Sequence, residues 1–131
     1  MRPLSGPGHA ASARLAAAAA ARGVSPDVVW HSGKLRARQT AELFWSACNP
    51  LARCSAARGL QPNDPPRWMR DQLAEDRRSM VLVGHLPHLV RLLRVLRGEP
   101  PDTAAADFPP HGCVALERYV ESWKELWRLG A

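Results

Sequence analysis

The sequence predicts an α/β domain, a mostly parallel sheet with helices on both faces. Three observations predict it. Short apolar runs of strand type, Val28 to Trp30 and Met80 to Gly84, alternate with longer segments of helical spacing. Both runs lead straight into polar, glycine-containing loops. The 131 residues, 46% apolar and 23% charged, suffice for one domain over 1–131 with a real core, and no internal repeat or low-complexity linker marks a second.

Element by element, Ser5 is placed to cap a helix from about Pro7 to Arg22, whose alanine run from Leu15 to Ala21 is the best helix-forming stretch in the chain, with Gly23 as its stop. Val28, Val29 and Trp30 read as a buried strand ending at Ser32 and Gly33. From Lys34 to about Ala47, the residues Leu35, Ala37, Thr40, Ala41, Leu43 and Phe44 recur at helical spacing, and Asn49 with Pro50 closes that helix. A weak strand covers Leu51 to Cys54, and Gln61 to Pro66 reads as loop. Asp64 is placed to cap a helix from Pro65 to about Arg77. Met80 to Gly84 is the cleanest buried strand in the sequence, and the helix from Pro87 to Leu96 is too apolar to be exposed all round. Glu99 to Pro110, with four prolines, is a long loop. Cys113 to Val120 and Trp123 to Leu129 fit two strands, the second fitting a short helix equally well.

Composition excludes several classes. No apolar run reaches the ~18 residues of a membrane span, and no basic segment followed by a hydrophobic stretch opens the chain, so the expectation is an untargeted cytoplasmic protein. Cys48, Cys54 and Cys113 are odd in number and lack C-x-x-C spacing, which points to inert thiols and to neither a disulfide framework nor a zinc knuckle. The net charge of +6 favours anionic partners. Of the 18 basic residues only Lys34 and Lys124 are lysine; the arginines are spread from Arg2 to Arg128 with acids interleaved, unlike the clustered stripe of a nucleic-acid binder. The oligomeric state is not readable.

In such sheets ligands bind at the carboxyl ends of the strands, and two loops there carry chemistry. The first, Trp30 to Thr40, opens a helix, whose free N–H groups and positive dipole end suit an anion. Arg36 in its first turn adds a fork of donors matched to phosphate oxygens; Arg38 lies roughly 200° further round at ~100° per residue. Both read equally as solvated helix arginines. The second loop, Val83 to His88, sets His85 directly after a strand, where imidazole can donate to a phosphoryl oxygen or move protons near neutral pH, or can be an ordinary cap or core residue. Gly84 permits close backbone approach. His88 reads as a surface helix residue, and His9, His31 and His111 carry no functional reading.

Taken together, Ser-x-x-x-Arg-Ala-x-Gln-Thr from Ser32 to Thr40 and Gly-His-x-Pro from Gly84 to Pro87 resemble the histidine phosphatase superfamily, most closely its short SixA-type phosphohistidine phosphatases. Arg2-Pro3-Leu4-Ser5 with Gly8, and Leu60-x-Pro62, match the same pattern, so the resemblance runs along nearly the whole chain. It implies a phosphoglycerate mutase-like three-layer α/β/α fold with a mostly parallel mixed sheet. It also implies phosphoryl transfer through a covalent phosphohistidine, with Arg36 clamping the phosphoryl oxygens and His85 donating to them as charge develops. No metal or other cofactor is implied. The implied substrate is phosphohistidine on a partner protein, such as a phosphotransfer domain of a histidine-kinase relay, or a small phosphoester.

The sequence departs from the family in having no Arg-His-Gly motif. In the family that motif follows a first, central strand and supplies the nucleophilic His with a further Arg; His9, inside the opening helix, does not replace it. The expectation is an N-terminally incomplete domain without that strand, or a natural form without the nucleophile. The strand at Met80 to Gly84 and the one from about Cys113 then face each other across a gap, or are forced into a new pairing. A non-catalytic phosphate-binding or interaction module remains the alternative. Asp64, Glu99 and Asp107 lie in loops able to approach the site as general acid, and nothing in the sequence selects among them.

Overall fold

The computed structural model describes residues 2–102, 108–109, 112–120 and 122–130. Its elements follow in the order α1 (Gly6–Ala21), β1 (Val28–His31), α2 (Leu35–Cys48), β2 (Arg53–Ala56), α3 (Pro66–Glu75), β3 (Met80–Val83), α4 (His88–Leu96), β4 (Cys113–Tyr119) and β5 (Ser122–Leu129). This is the α/β class the alternation predicts. Ser5 caps α1 by accepting the Gly8 N–H, as the sequence suggested. The segment open between strand and helix resolves as strand β5. Asp107 and His111 lie outside the described residues.

A three-stranded parallel sheet has β1 in the middle, with β2 and β3 on its flanks. Strand alternation sends Trp30, Met80 and Leu82 to one face, where they pack with Leu60, Met69, Leu73, Leu92 and Leu96 under α3 and α4. Val29, Val81 and Val83 go to the other, against Ala37 and Ala41 of α2, with Leu15, Ala16 and Ala19 of α1 and Phe44 beyond. Small residues dominate that side and let α1 and α2 approach closely.

The remaining strands, β4 and β5, form a separate antiparallel hairpin. Its side chains nevertheless enter both layers: Leu116 and Trp123 join the cluster under α3 and α4, while Cys113, Trp127 and Leu129 join the one at α1. The hairpin therefore lies in the plane of the sheet, beyond β3. Among the described residues no ladder joins β3 to β4. The Asp27 and Val28 N–H groups both donate to the Ser79 carbonyl, so by alternation the backbone of Met80 and Leu82 faces away from β1, toward this seam.

Three expectations are corrected. The best-buried strand is β1, with Val28 and Val29 at 1% and 0% exposure, whereas in β3 only Val83 is buried. Asp64 does not cap α3: Pro65 occupies the cap position, and the Asp64 carboxylate accepts the Gln61 N–H at 2.9 Å instead. His88 is fully buried rather than on the surface, because it shares the inward stripe of α4 with Leu92 and Leu96 at four-residue spacing.

Candidate functional site

The carboxyl ends of β1 and β3 sit side by side, His31 beside Val83 in the parallel register. The residues that follow them, Ser32 and His85, meet across 53 positions of sequence. Ser32 Oγ lies 2.6 Å from His85 Nε2. The serine is buried, and its Oγ also accepts the Lys34 N–H at 3.3 Å.

The chain between them is shaped by glycine at two points. Gly33 has φ +91°, a left-handed conformation that L side chains rarely adopt, and it turns the strand into α2. At Gly84 a Cβ would lie 3.2 Å from the Leu60 carbonyl oxygen and 3.3 Å from Leu89. The close approach expected at Gly84 is thus made by the loop before α3. That loop reaches the site through Gln61, whose Nε2 donates to the Ser32 carbonyl at 2.5 Å, and Asp64 holds Gln61 in turn.

Helix α2 presents an open N-terminus. Lys34 at its cap makes no side-chain capping bond, and no acidic residue stands in the first turn. The first N–H groups lack an intrahelical acceptor by construction. Arg36 is exposed and, among the described residues, has no hydrogen-bond or ion-pair partner. Arg38, by contrast, pairs with Glu42 at 3.2 Å. Further along the motif, Gln39 accepts the Leu4 N–H at 2.7 Å and so ties the Arg2 to Ser5 segment to α2.

Electrostatics follow from this crowding. Burial, then the cations Lys34 and Arg36, push the His85 pKa below its ordinary value, which favours the neutral imidazole. An arriving oxyanion reverses the second influence and favours the protonated ring. Burial likewise lowers His88, against the pull of Asp64, and neither of its ring nitrogens has a partner among the described residues. The three cysteines are half-buried and free, their thiols pushed up by burial. Among the described residues no cluster of His, Cys, Asp or Glu is placed to hold a metal ion.

Arg36, in the first turn of α2, and His85, after β3, were both singled out from the sequence, and the Arg36 charge acts on the His85 ring. Glu99 is drawn elsewhere, into ion pairs with Arg94 and Arg97 beyond α4. Sequence reasoning gave Ser32, Lys34 and Gln61 no individual role. Ser32 and Lys34 were visible within the first motif, whereas Gln61 reaches Ser32 only through the fold.

The fold has close counterparts among solved proteins. A protein described as a SixA phosphohistidine phosphatase from Agrobacterium tumefaciens superposes with a TM-score of 0.81 at 25% identity, over 99% of this chain and 84% of that one. The chain has the SixA fold. A protein histidine phosphatase SixA complexed with tungstate matches with a TM-score of 0.78 at 21% identity, over 99% of this chain and 85% of the other. No family model and no curated protein matches the sequence.

Proposed function

We propose that this chain is a phosphohistidine phosphatase-like protein whose phosphoryl group is held by Arg36 and His85, at the open N-terminus of α2. The observation that carries the reading is a His85 ring set on Ser32 at the open end of α2, within the electrostatic reach of the unpaired Arg36 guanidinium. A fork of donors, free helix N–H groups and a neighbouring imidazole together suit a tetrahedral oxyanion. The likeness to SixA structures, one of them holding the tetrahedral oxyanion tungstate, supports the same class of ligand. The substrate is phosphohistidine on a cytoplasmic signalling protein or a small phosphoester; nucleic acid and membrane are not partners. No helix among the described residues is long and apolar enough to cross a membrane.

A covalent mechanism needs a nucleophilic imidazole in line with the phosphorus. Among the described histidines, His9 lies in α1, His31 turns toward α2 and His88 is buried. His85 is the group proposed to donate to the phosphoryl oxygens. With no Arg-His-Gly in the sequence, the reading expects binding with little turnover. The second reading is a phosphate-binding or interaction module that uses the same two residues.

One experiment tests both: phosphate titration and hydrolysis of a phosphohistidine-containing protein, with Arg36→Ala and His85→Ala alongside. Phosphate binding should weaken about tenfold or more in Arg36→Ala, as loss of a charge-assisted hydrogen bond predicts. Binding without hydrolysis favours the module; robust hydrolysis indifferent to both substitutions overturns the assignment.

A further inference from the structure

His31 is the one polar residue of β1, and alternation places it on the Val29 face, toward α2, with only 6% of its surface exposed. Its ring opens on a cavity of about 240 Å³ lined also by Arg38, Glu42, Trp45 and Cys54. Neither the motifs nor the phosphoryl reading use this residue. Its hydrogen bond, however, runs back into the site: Nδ1 accepts the N–H of Gly33, two residues on, at 3.0 Å.

This bond closes a small ring of the kind Asn and Asp side chains make in turns. An accepting Nδ1 must carry a lone pair, so the imidazole is neutral with its proton on Nε2. The peptide unit it grips is the left-handed Gly33. On one side stands Ser32, whose Oγ meets His85 and whose carbonyl meets Gln61; on the other stands Lys34, the first residue of the open helix end.

We propose that His31 is a positioning residue of this site: its Nδ1 lone pair holds the Gly33 turn, which sets Ser32 against His85 and aims the N-terminus of α2. The ligand part of this inference rests on the phosphoryl reading above; the turn itself does not. The charged and titratable groups facing the ring are Arg38 and Glu42 from α2 and Cys54 from β2. Burial and then Arg38 lower the His31 pKa, and Glu42 opposes them, so the lone pair is available at neutral pH. Acid adds a proton at Nδ1. Two N–H groups then face each other and the turn loses its tie.

Two substitutions separate this role from simple filling of space. His31→Asn keeps an acceptor, Oδ1, the same number of bonds from the backbone and does not titrate. His31→Leu keeps bulk and removes the acceptor. The first measurement is hydrogen exchange of the Gly33 amide by NMR, corrected for intrinsic exchange, at about pH 7.5 and about pH 4.5, the lower value set well below the ordinary imidazole range because the His31 pKa is lowered. Wild-type protection should fall severalfold at the lower pH, His31→Asn should stay protected at both, and His31→Leu should be unprotected at both. The second is sulfate affinity, sulfate being a dianion throughout. His31→Leu should bind about tenfold more weakly and His31→Asn within about twofold of wild type at the higher pH. Any proton gained by His85 is gained in every variant alike, so the ratio of wild type to His31→Asn reads His31 alone.

A Gly33 amide equally protected in His31→Leu, or wild-type protection that ignores pH, overturns the inference. So does sulfate binding that is the same in wild type and His31→Leu. If sulfate fails to bind wild type, the phosphoryl reading falls, and the exchange data still decide whether His31 holds the turn.

Discussion

Strands β1 and β3 are neighbours of equal length, both apolar and in parallel register, yet they are buried to different degrees. Val28 and Val29 are sealed, while Met80, Val81 and Leu82 keep partial exposure. Both strands are covered by the same two helix layers, so the difference comes from the side. β1 has a strand on each flank; β3 has one, and then the seam before the β4–β5 hairpin. Burial of a sheet residue depends on lateral neighbours as much as on the helices above and below. An open edge with unpaired backbone groups is also where another strand can add.

The largest test of this contrast is a pair of truncations. Val29→Ala should cost about 2 kcal/mol, as expected for a sealed aliphatic side chain in a closely packed interior. Leu82→Ala removes more carbon yet should cost only about 1 kcal/mol, because part of that side chain already meets water. Urea denaturation of both reads the difference, and equal costs would show that the seam is closed in solution.

A smaller effect is expected where the site meets α4. His88 is sealed with both ring nitrogens unpartnered among the described residues. An apolar replacement removes that desolvation penalty, so His88→Leu should stabilise the fold by about 1 kcal/mol. The sign with pH follows from its lowered pKa. Below the ordinary value of 6.5 the unfolded chain binds the proton before the folded one does, so stability is full above that pH and declines as pH falls through this window. His31 and His85 are shifted in the same direction and add to the decline. His88→Leu should therefore flatten part of the acid limb in a melting-temperature series, and an unchanged limb would place its cause in the other two histidines.

Much of this was legible in the sequence, for physical reasons. Apolar runs of three and four residues ending in glycine-containing loops located β1 and β3, helical periodicity located α2, and a dense apolar run located α4. The same periodicity already held the burial of His88, four residues before Leu92 and eight before Leu96. Alternation likewise put His31 on the inward face with Val29. What was not legible are the long-range contact of Gln61 on Ser32 and the local choice of the Asp64 carboxylate for the Gln61 N–H. Asp64 looked like a cap because it precedes the α3 prolines, but its carboxylate found the nearer Gln61 N–H. Nothing local distinguishes those two outcomes.

The smallest expected effect concerns the β1 side of the molecule. Arg38 and Glu42 form an i,i+4 pair on α2 with side chains 57% and 54% exposed, a geometry worth about 0.3–0.5 kcal/mol. Arg38→Ala should accordingly leave the melting transition almost in place. The same change removes a cation that holds the His31 pKa down and leaves Glu42, which pulls it up. The acid loss of Gly33 protection should then begin at a higher pH than in wild type. A surface arginine would thus move the titration of a turn it does not touch while barely affecting the fold. A large fall in stability, or an unmoved Gly33 titration, would mean that Arg38 acts through α2 packing rather than through the charge facing His31.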